Sequence, residues 1–182
     1  LLVAATLWPA SRLGTEFMPE LDEGDFLYMP TTLPGLSADA ARALLQQTDR
    51  LIKTVPEVER VFGKAGRADT ATDPAPMEMF ETTIMLKPRD QWRPGMTPAK
   101  LKAELDALVK FPGLSNGWGY PIKTRIDMLA TGIRTPVGIK VMGPDLAVIE
   151  QLGRRIEAIL REVPGTTSVY AERTATGRYL DV

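Results

Sequence analysis

The sequence predicts an α+β fold built from ferredoxin-like βαβ repeats, with one complete unit and one incomplete unit. Three observations lead to this prediction. Segments in which apolar and polar residues alternate, as in strands, are followed by segments whose apolar residues recur at helical spacing. Over residues 26–121 they follow the order β-α-β, β-α-(β), which is the split βαβ order of ferredoxin-like domains. A similar strand-helix pattern then starts again near Arg134.

The first three elements of the complete unit are a strand, a helix and a second strand. The first strand is expected from Phe26 to Leu33, where Pro34-Gly35 closes it. Ser37 is a suitable N-cap for the helix, which Pro56 ends. The second strand is expected from Val58 to Lys64. The apolar face of the helix consists of Ala41, Leu44, Leu45, Thr48, Leu51, Ile52 and Val55.

The second half of this unit follows a small, polar stretch at 65–76, which predicts a loop. Met77 to Lys87 alternates most clearly and predicts a strand. After a loop at 88–96, Thr97-Pro98 supplies an N-cap and a first-turn proline for a helix that ends at Pro112. A closing strand then completes the unit. The apolar face of this helix is Leu101, Leu105, Leu108 and Val109.

In the second unit, the pattern of apolar residues predicts a strand at 137–141, a helix from Ile149 to Val163 and a strand at 166–171. Thr54-Val55-Pro56 and Glu162-Val163-Pro164 lie 108 positions apart, and the same offset superposes five apolar helix positions. This agreement favours a duplicated βαβ module. The alternative is that any two βαβ units share such a period.

The composition excludes several kinds of site, because the chain has no cysteine, no histidine and eight methionines. Disulfides, zinc fingers, thiol nucleophiles and Ser-His-Asp triads are impossible, and no phosphate-loop, nucleophile-elbow or dinucleotide fingerprint occurs. An enzyme is therefore the weakest functional hypothesis. The net charge of −1 predicts no nucleic-acid partner.

The chain opens on an apolar run, Leu1 to Trp8, rather than on methionine. Three interpretations compete: the end of a transmembrane helix with Trp8 in the interfacial belt, a clipped signal peptide, and a buried strand or short helix. The last residues alternate like a strand and lack a terminator. We therefore expect a piece of a longer protein.

The strand from Met77 places thioethers and a carboxylate on one face. Its even-numbered residues suffice for a core, whereas the odd-numbered ones include Met77, Met79, Glu81 and Met85. Thioethers beside a carboxylate suit a soft monovalent cation, Cu(I) or Ag(I), although methionine more often fills gaps in a core or an interface. Met29, on the first strand, and Met128, between the two units, are further candidate ligands whose convergence the sequence does not reveal.

The charged residues have ordinary interpretations when taken alone. Asp22, Glu23 and Asp25 are typical of a solvated turn, and Asp73 of a turn initiator before Pro74. Arg125 and Asp127 are expected to form a surface pair.

Four long runs carry a resemblance to a known family. They resemble the CusA-type inner-membrane permeases, in the heavy-metal branch of the resistance-nodulation-division efflux family, over nearly the whole chain. The runs are LGTEFMPELDEGDFLYMPTTLPG (13–35), VPEVERVFGKAGRADTATDPAPMEMFETTI (55–84), QWRPGMT (91–97) and RIDMLATGIRTPVGIKVMG (125–143).

The resemblance implies a division of the chain. Residues 1–13 would end a transmembrane helix, 14–121 would form the first porter subdomain, 122–133 a connector and 134–182 an incomplete second porter subdomain. It also implies that Met29, Met79 and Met128 bind Cu(I) or Ag(I), with Glu81 as a carboxylate of the same site. Glu23, Asp73, Arg125 and Arg134 match charged positions that line the cleft and the ion path.

The resemblance further implies a proton-driven antiporter of the bacterial inner membrane, with this segment in the periplasm. A metal ion would be the substrate and no cofactor is expected. A homotrimer would act with a periplasmic adaptor protein and an outer-membrane channel. Two alternatives stay open: a divalent-cation exporter of the same family that uses carboxylates, and a stand-alone soluble copper-binding module.

Overall fold

A computed structural model describes residues 2–12, 22–32, 35–66, 77–133, 135, 137–166 and 168–173. The strands are β1 (Asp25–Tyr28), β2 (Val58–Ala65), β3 (Phe80–Leu86) and β4 (Trp118–Gly119). The helices are α1 (Leu2–Ala10), α2 (Ala38–Lys53), α3 (Pro98–Leu108), α4 (Pro121–Thr131) and α5 (Leu146–Arg161), and one turn of 3-10 helix occupies Arg89–Gln91.

The four strands form one antiparallel sheet in the order β2-β3-β1-β4. Strands β1 and β2, joined by α2, are parallel to each other and separated by β3. Strands β3 and β4, joined by α3, are likewise parallel and separated by β1. Two interleaved split βαβ units result, so the predicted ferredoxin-like α+β fold is confirmed.

The hydrophobic core lies on the face of the sheet that carries Phe80, Thr82, Ile84 and Leu86, all of which are buried. We call this the core face. Helices α2 and α3 cover it, because their apolar positions pack there as the helical spacing predicts. The buried residues of the core cluster are Phe26, Tyr28, Ile52, Val55, Val58, Ile84, Leu86, Leu101, Leu105 and Val109.

The predicted helix caps are present. Ser37 Oγ accepts a hydrogen bond from the Ala40 N–H at 3.2 Å, and Thr97 Oγ1 accepts one from Lys100 at 3.3 Å. Pro98 occupies the first turn of α3, as expected. These local signals therefore located both helix starts correctly.

Two strands are shorter than predicted. Strand β1 ends at Tyr28, because Pro30 has no N–H to donate to the ladder, and pairing resumes only at Thr31, which bridges Met79 and Ser115. Strand β3 begins at Phe80 rather than Met77. Most of the predicted loop at 65–76 lies outside the described residues.

Helix α4 (Pro121–Thr131) occupies most of the segment predicted as a connector, 122–133. Pro121 occupies its first turn, and Gly132 ends it with φ of 70° in the left-handed region. This helix was not predicted from the sequence, although both end signals are present.

The second unit contains the predicted helix but not the predicted strands. Helix α5 has the same 16-residue length as α2, and its N-cap Asp145 lies 108 positions after Ser37, as the proposed duplication requires. The predictions of strands at 137–141 and 166–171 were wrong for the residues that the structure describes there. A strand needs a partner for its backbone groups, and alternation alone does not supply one.

The amino-terminal apolar run forms α1, a nine-residue helix that contains Pro9. Within the ranges described, no helix has the length and apolar character needed to cross a membrane. The prediction that residues 1–13 end a transmembrane helix stays a prediction.

Candidate metal centre

The face of the sheet opposite the core face carries the predicted ligands of two strands. Tyr28 pairs with Thr82 and Thr31 pairs with Met79, so the register between them places Met29 directly opposite Glu81. Residues that are directly opposite in an antiparallel pair project to the same face, with Cβ atoms about 4.5–5.5 Å apart. Met79 lies two positions from Glu81 and therefore shares that face. We call the face defined by Met29, Met79 and Glu81 the methionine face.

These side chains differ in exposure. Met29 is 6% exposed, whereas Met79 is half-buried. Glu81 keeps 35% of its side-chain surface in contact with solvent. Met79 and Glu81 therefore lie at the boundary between protein and solvent, whereas Met29 is buried.

Helix α4 lies on the methionine face. Gly119 of β4 pairs with Leu27 of β1 and so projects to the same face. A Cβ atom built on Gly119 would lie 2.1 Å from Thr124 Oγ1, which places this turn of α4 directly against the sheet. Leu27 and Thr124 are each 6% exposed, consistent with close packing between the helix and the strand.

Met128 lies one helical turn after Thr124 on α4. The helix begins beside Glu23, just before β1, and Thr124 stands over Leu27 and Gly119. From Thr124 to Met128 a helix advances about 6 Å on the same side. From Leu27 to Met29 a strand advances about 6.8 Å. These similar advances are compatible with the predicted approach of the half-buried Met128 to Met29 and Glu81, and that approach stays a prediction.

Glu81 has a cationic partner that was not predicted from the sequence. Lys64 of β2 pairs directly with Glu81 in the sheet, and its Nζ lies 3.1 Å from Glu81 Oε2. Glu81 is therefore the middle member of a row across three strands, with Met29 on one side and Lys64 on the other. Only the register between β2 and β3 identifies this partner, and alternation within one strand does not.

Two of the three predicted thioethers, Met29 and Met79, share the methionine face with the Glu81 carboxylate. Thioether donors favour Cu(I) or Ag(I), since their sulfur is soft and carries no proton to displace. In the part of the chain that the structure describes, no group of three or more histidine, cysteine, aspartate or glutamate side chains could hold a metal ion.

The acidic residues before β1 have structural partners. Glu23 accepts hydrogen bonds from the N–H groups of Ile122 (2.7 Å) and Lys123 (2.8 Å), so its carboxylate caps the amino terminus of α4. Asp22 forms an ion pair with Arg89. Asp25 Oδ1 accepts a hydrogen bond from the Leu86 N–H at 3.2 Å. The expected solvated turn is thus a set of anchored carboxylates.

The other charged candidates do not join the methionine face in the described structure. Arg125 is exposed on α4. Asp127, expected to pair with Arg125, is ion-paired at 2.9 Å with Lys123, one helical turn away. Asp73 and Arg134 lie outside the described residues. Their role along an ion path stays a prediction.

The five remaining methionines were expected to be packing residues. Met96 does pack against the core cluster. Met77, Met85 and Met142 are exposed, so they do not pack in the described core, and packing at an interface stays a prediction for them. Met18 lies outside the described residues. The exposed Met85, which is on the methionine face but not in the proposed trio, is a useful control.

Groups with shifted pKa values lie away from the methionine face. Burial on the core face raises the pKa of the Tyr28 hydroxyl and of Asp49, whose carboxylate accepts a hydrogen bond from Thr82. Hydrogen bonds from Arg93 lower the pKa of Glu57 to about 2. These shifts accompany structural contacts rather than the candidate site.

Comparison with known proteins gives a consistent result. The family model described as the AcrB/AcrD/AcrF family matches residues 1–182. The cation efflux system protein CusA of Escherichia coli (strain K12) is 58% identical over 182 residues, which are all of this chain and 17% of the relative. The putative cation efflux system protein SilA of Salmonella typhimurium is 59% identical over 187 residues, which cover 100% of this chain and 18% of the relative.

A solved structure agrees with the sequence matches. The crystal structure of a heavy metal efflux pump superposes with a TM-score of 0.83 at 28% identity, covering 92% of this chain and 18% of the other. The chain thus spans about a sixth of the length of the proteins that it matches. The resemblance to the CusA-type heavy-metal branch is confirmed, and the chain belongs to the AcrB/AcrD/AcrF family.

Proposed function

We propose that this chain is the substrate-binding part of a heavy-metal efflux transporter, and that it binds Cu(I) or Ag(I) through Met29, Met79 and Met128. Glu81 is the carboxylate of the site. One observation carries the proposal: the sheet register places Met29 opposite Glu81, on the face that also carries Met79 and lies under α4.

The donor set suits an ion that must be both captured and released. Thioethers are neutral and do not compete with protons, so they bind a soft ion without a pH-dependent deprotonation step. A single carboxylate offsets the charge of a monovalent cation. Transport requires binding that is favourable enough to capture the ion and weak enough to let it leave.

The whole-protein setting is part of the same proposal and is supported by the family relationship. The transporter would be a proton-driven antiporter and a homotrimer in the bacterial inner membrane, with this segment in the periplasm. It would act with a periplasmic adaptor and an outer-membrane channel. Movement between the two porter subdomains would form and break the coordination by Met128, and Glu23, Asp73, Arg125 and Arg134 would line the path.

Titration of the 182-residue chain with Ag(I) tests the proposal. We would use isothermal titration calorimetry in a nitrate buffer without chloride or thiols. The variants are Met29→Leu, Met79→Leu and Met128→Leu, because leucine conserves the volume and removes only the sulfur. We expect each to weaken Ag(I) binding by at least about tenfold, the scale of changes around metal ligands. Met85→Leu, on the same face, is the matched control and should bind as the unmodified chain does.

Two outcomes would contradict the proposal. If all three variants bound Ag(I) as tightly as the unmodified chain, the thioethers would not be ligands. The second outcome is tight Zn(II) binding that Met128→Leu leaves unchanged, together with weak Ag(I) binding. That result would indicate a carboxylate site for a divalent cation instead of the proposed thioether site.

A further inference from the structure

We propose that Lys64 is the resident counter-cation of the empty site and that its ammonium group competes with the incoming metal ion for Glu81. This inference rests on the proposed function, because it concerns the occupancy of the same carboxylate. It adds Lys64 to the site, as a residue that lowers the affinity of the site for the metal ion.

The geometry assigns Lys64 to the site rather than to the surface at large. Lys64 and Glu81 are directly opposite in the β2–β3 ladder, and their charged atoms lie 3.1 Å apart. Met29 is opposite Glu81 in the β1–β3 ladder. The three side chains therefore project from one face of three adjacent strands, at about 4.8 Å per strand.

Glu81 consequently has one cation on one side and the proposed ion position on the other. A metal ion bound by Met29 and Met79 must either share the carboxylate with the ammonium group or displace it. Both groups carry one positive charge, so the ammonium group can replace a monovalent ion in the charge balance of the row. Lys64 therefore stabilises the empty site and opposes the filled one.

This exchange would assist release. When the ion leaves, the partly exposed Glu81 carboxylate would otherwise lose its cationic partner beside the buried Met29. Return of the Lys64 ammonium group restores a cationic partner. Departure of the ion is therefore assisted by an ion pair that is already present in the empty structure.

The size of the effect follows from the attraction between Lys64 and Glu81 that the incoming ion must displace. For two unit charges about 4 Å apart, Coulomb's law gives an attraction equivalent to about fivefold in affinity at the dielectric constant of water and about a thousandfold at an effective dielectric constant of 20. Because Lys64 and Glu81 are each about one-third exposed, we expect a value near the lower end of this range, about tenfold.

The test compares Ag(I) affinities of Lys64→Gln, Lys64→Arg and Lys110→Gln with that of the unmodified chain, again by calorimetry in nitrate buffer. Lys64→Gln should bind Ag(I) about tenfold more tightly. Lys64→Arg keeps the charge and should bind nearly as the unmodified chain does. Lys110 is exposed just beyond α3, which covers the core face, so Lys110→Gln removes the same charge at a distance and should have little effect. A purely structural role for Lys64 predicts weaker binding in Lys64→Gln, not tighter binding.

A second pair of variants separates competition for Glu81 from simple repulsion. Glu81→Gln should weaken Ag(I) binding. When Glu81→Gln is already present, adding Lys64→Gln should raise the Ag(I) affinity much less than Lys64→Gln does in the unmodified chain. An unchanged affinity in Lys64→Gln, an equal gain in both backgrounds, or an equal gain in Lys110→Gln would each overturn the inference.

Met79→Leu, measured in the same series, distinguishes failure of this inference from failure of the proposed function. If it loses Ag(I) binding while Lys64→Gln gains nothing, only the role of Lys64 fails, whereas unchanged binding in Met79→Leu refutes the thioether site itself.

Discussion

Gly119 is the position where one added methyl group tests whether α4 must rest on the sheet for the site to form. In Gly119→Ala the new Cβ atom would lie 2.1 Å from Thr124 Oγ1, whereas carbon and oxygen atoms in ordinary contact are about 3.5 Å apart. Thr124 must therefore change rotamer, or this turn of α4 must move by roughly 1 Å. A displaced helix carries Met128 away from Met29, since Met128 lies one turn beyond Thr124 on the same side.

The expected magnitudes follow from this overlap. Overpacking of a close contact costs about 1–3 kcal/mol in the free energy of unfolding. For a chain of this length, each kcal/mol lowers the melting temperature by about 2–4 °C. Sites tolerate displacements of about 0.5 Å before their geometry fails. We therefore expect the Ag(I) affinity of Gly119→Ala to fall together with its melting temperature.

A compensating change makes the test specific. Thr124→Ala removes Oγ1 and the methyl group, and its remaining Cβ would stand 3.5 Å from the new Cβ at position 119, which is an ordinary contact. The double variant should therefore bind Ag(I) nearly as Thr124→Ala does. Calorimetry and thermal unfolding of the unmodified chain, both single variants and the double variant form a complete cycle. The reasoning would be refuted if Gly119→Ala bound Ag(I) normally, or if the two losses simply added.

Three further predictions concern the support of the site. Glu23→Ala removes both hydrogen bonds to the amino terminus of α4, so unfolding should become easier by about 0.5–2 kcal/mol; an unchanged thermal midpoint would contradict the capping role. Arg93 lowers the pKa of Glu57 from 4.5 to about 2, so the stabilisation is complete above pH 4.5 and is lost as the pH falls towards 2. Because Arg93 is partly exposed, we discount this contribution to the free energy of unfolding to about 1–2 kcal/mol. The urea midpoints of the unmodified chain and of Glu57→Gln should therefore converge as the pH falls from 4.5 towards 2. A constant difference between the two midpoints would contradict this role of Glu57. Leu105→Ala, at a fully buried position, should cost about 2–5 kcal/mol by urea unfolding, and a cost near that of a surface change, about 0.5 kcal/mol, would contradict its place in the core.

The first unit was predictable because its signals are local. The N-caps Ser37 and Thr97 and the apolar spacing of α2 and α3 depend only on neighbours in the chain. Strand alternation likewise separated the buried residues of β3 from Met79 and Glu81, as the structure confirms.

Helix α4 was not predicted because its pattern of apolar and polar residues is the reverse of that of an ordinary amphipathic helix. Its apolar side chains Ile122, Ile126 and Leu129 are exposed, whereas the positions facing the sheet include Thr124 and the ion pair of Lys123 with Asp127, whose side chains are only 11% and 14% exposed. Binary patterning would therefore orient this helix the wrong way round.

Non-local pairing explains the remaining differences. The relation of Met29 to Glu81 requires the β1–β3 register, and that of Lys64 requires the β2–β3 register. Alternation at 137–141 and 166–171 gives no strand in the described residues there, because amphipathic alternation does not provide a hydrogen-bonding partner.

The central claim is that thioether sulfur holds the ion, and X-ray absorption at the silver edge tests it most directly. The Ag(I)-loaded 182-residue chain contains no cysteine, so any sulfur around silver must come from methionine. We predict sulfur neighbours around silver that decrease in Met79→Leu and are unchanged in Met85→Leu. A spectrum with only oxygen or nitrogen neighbours, identical in both variants, would contradict the account.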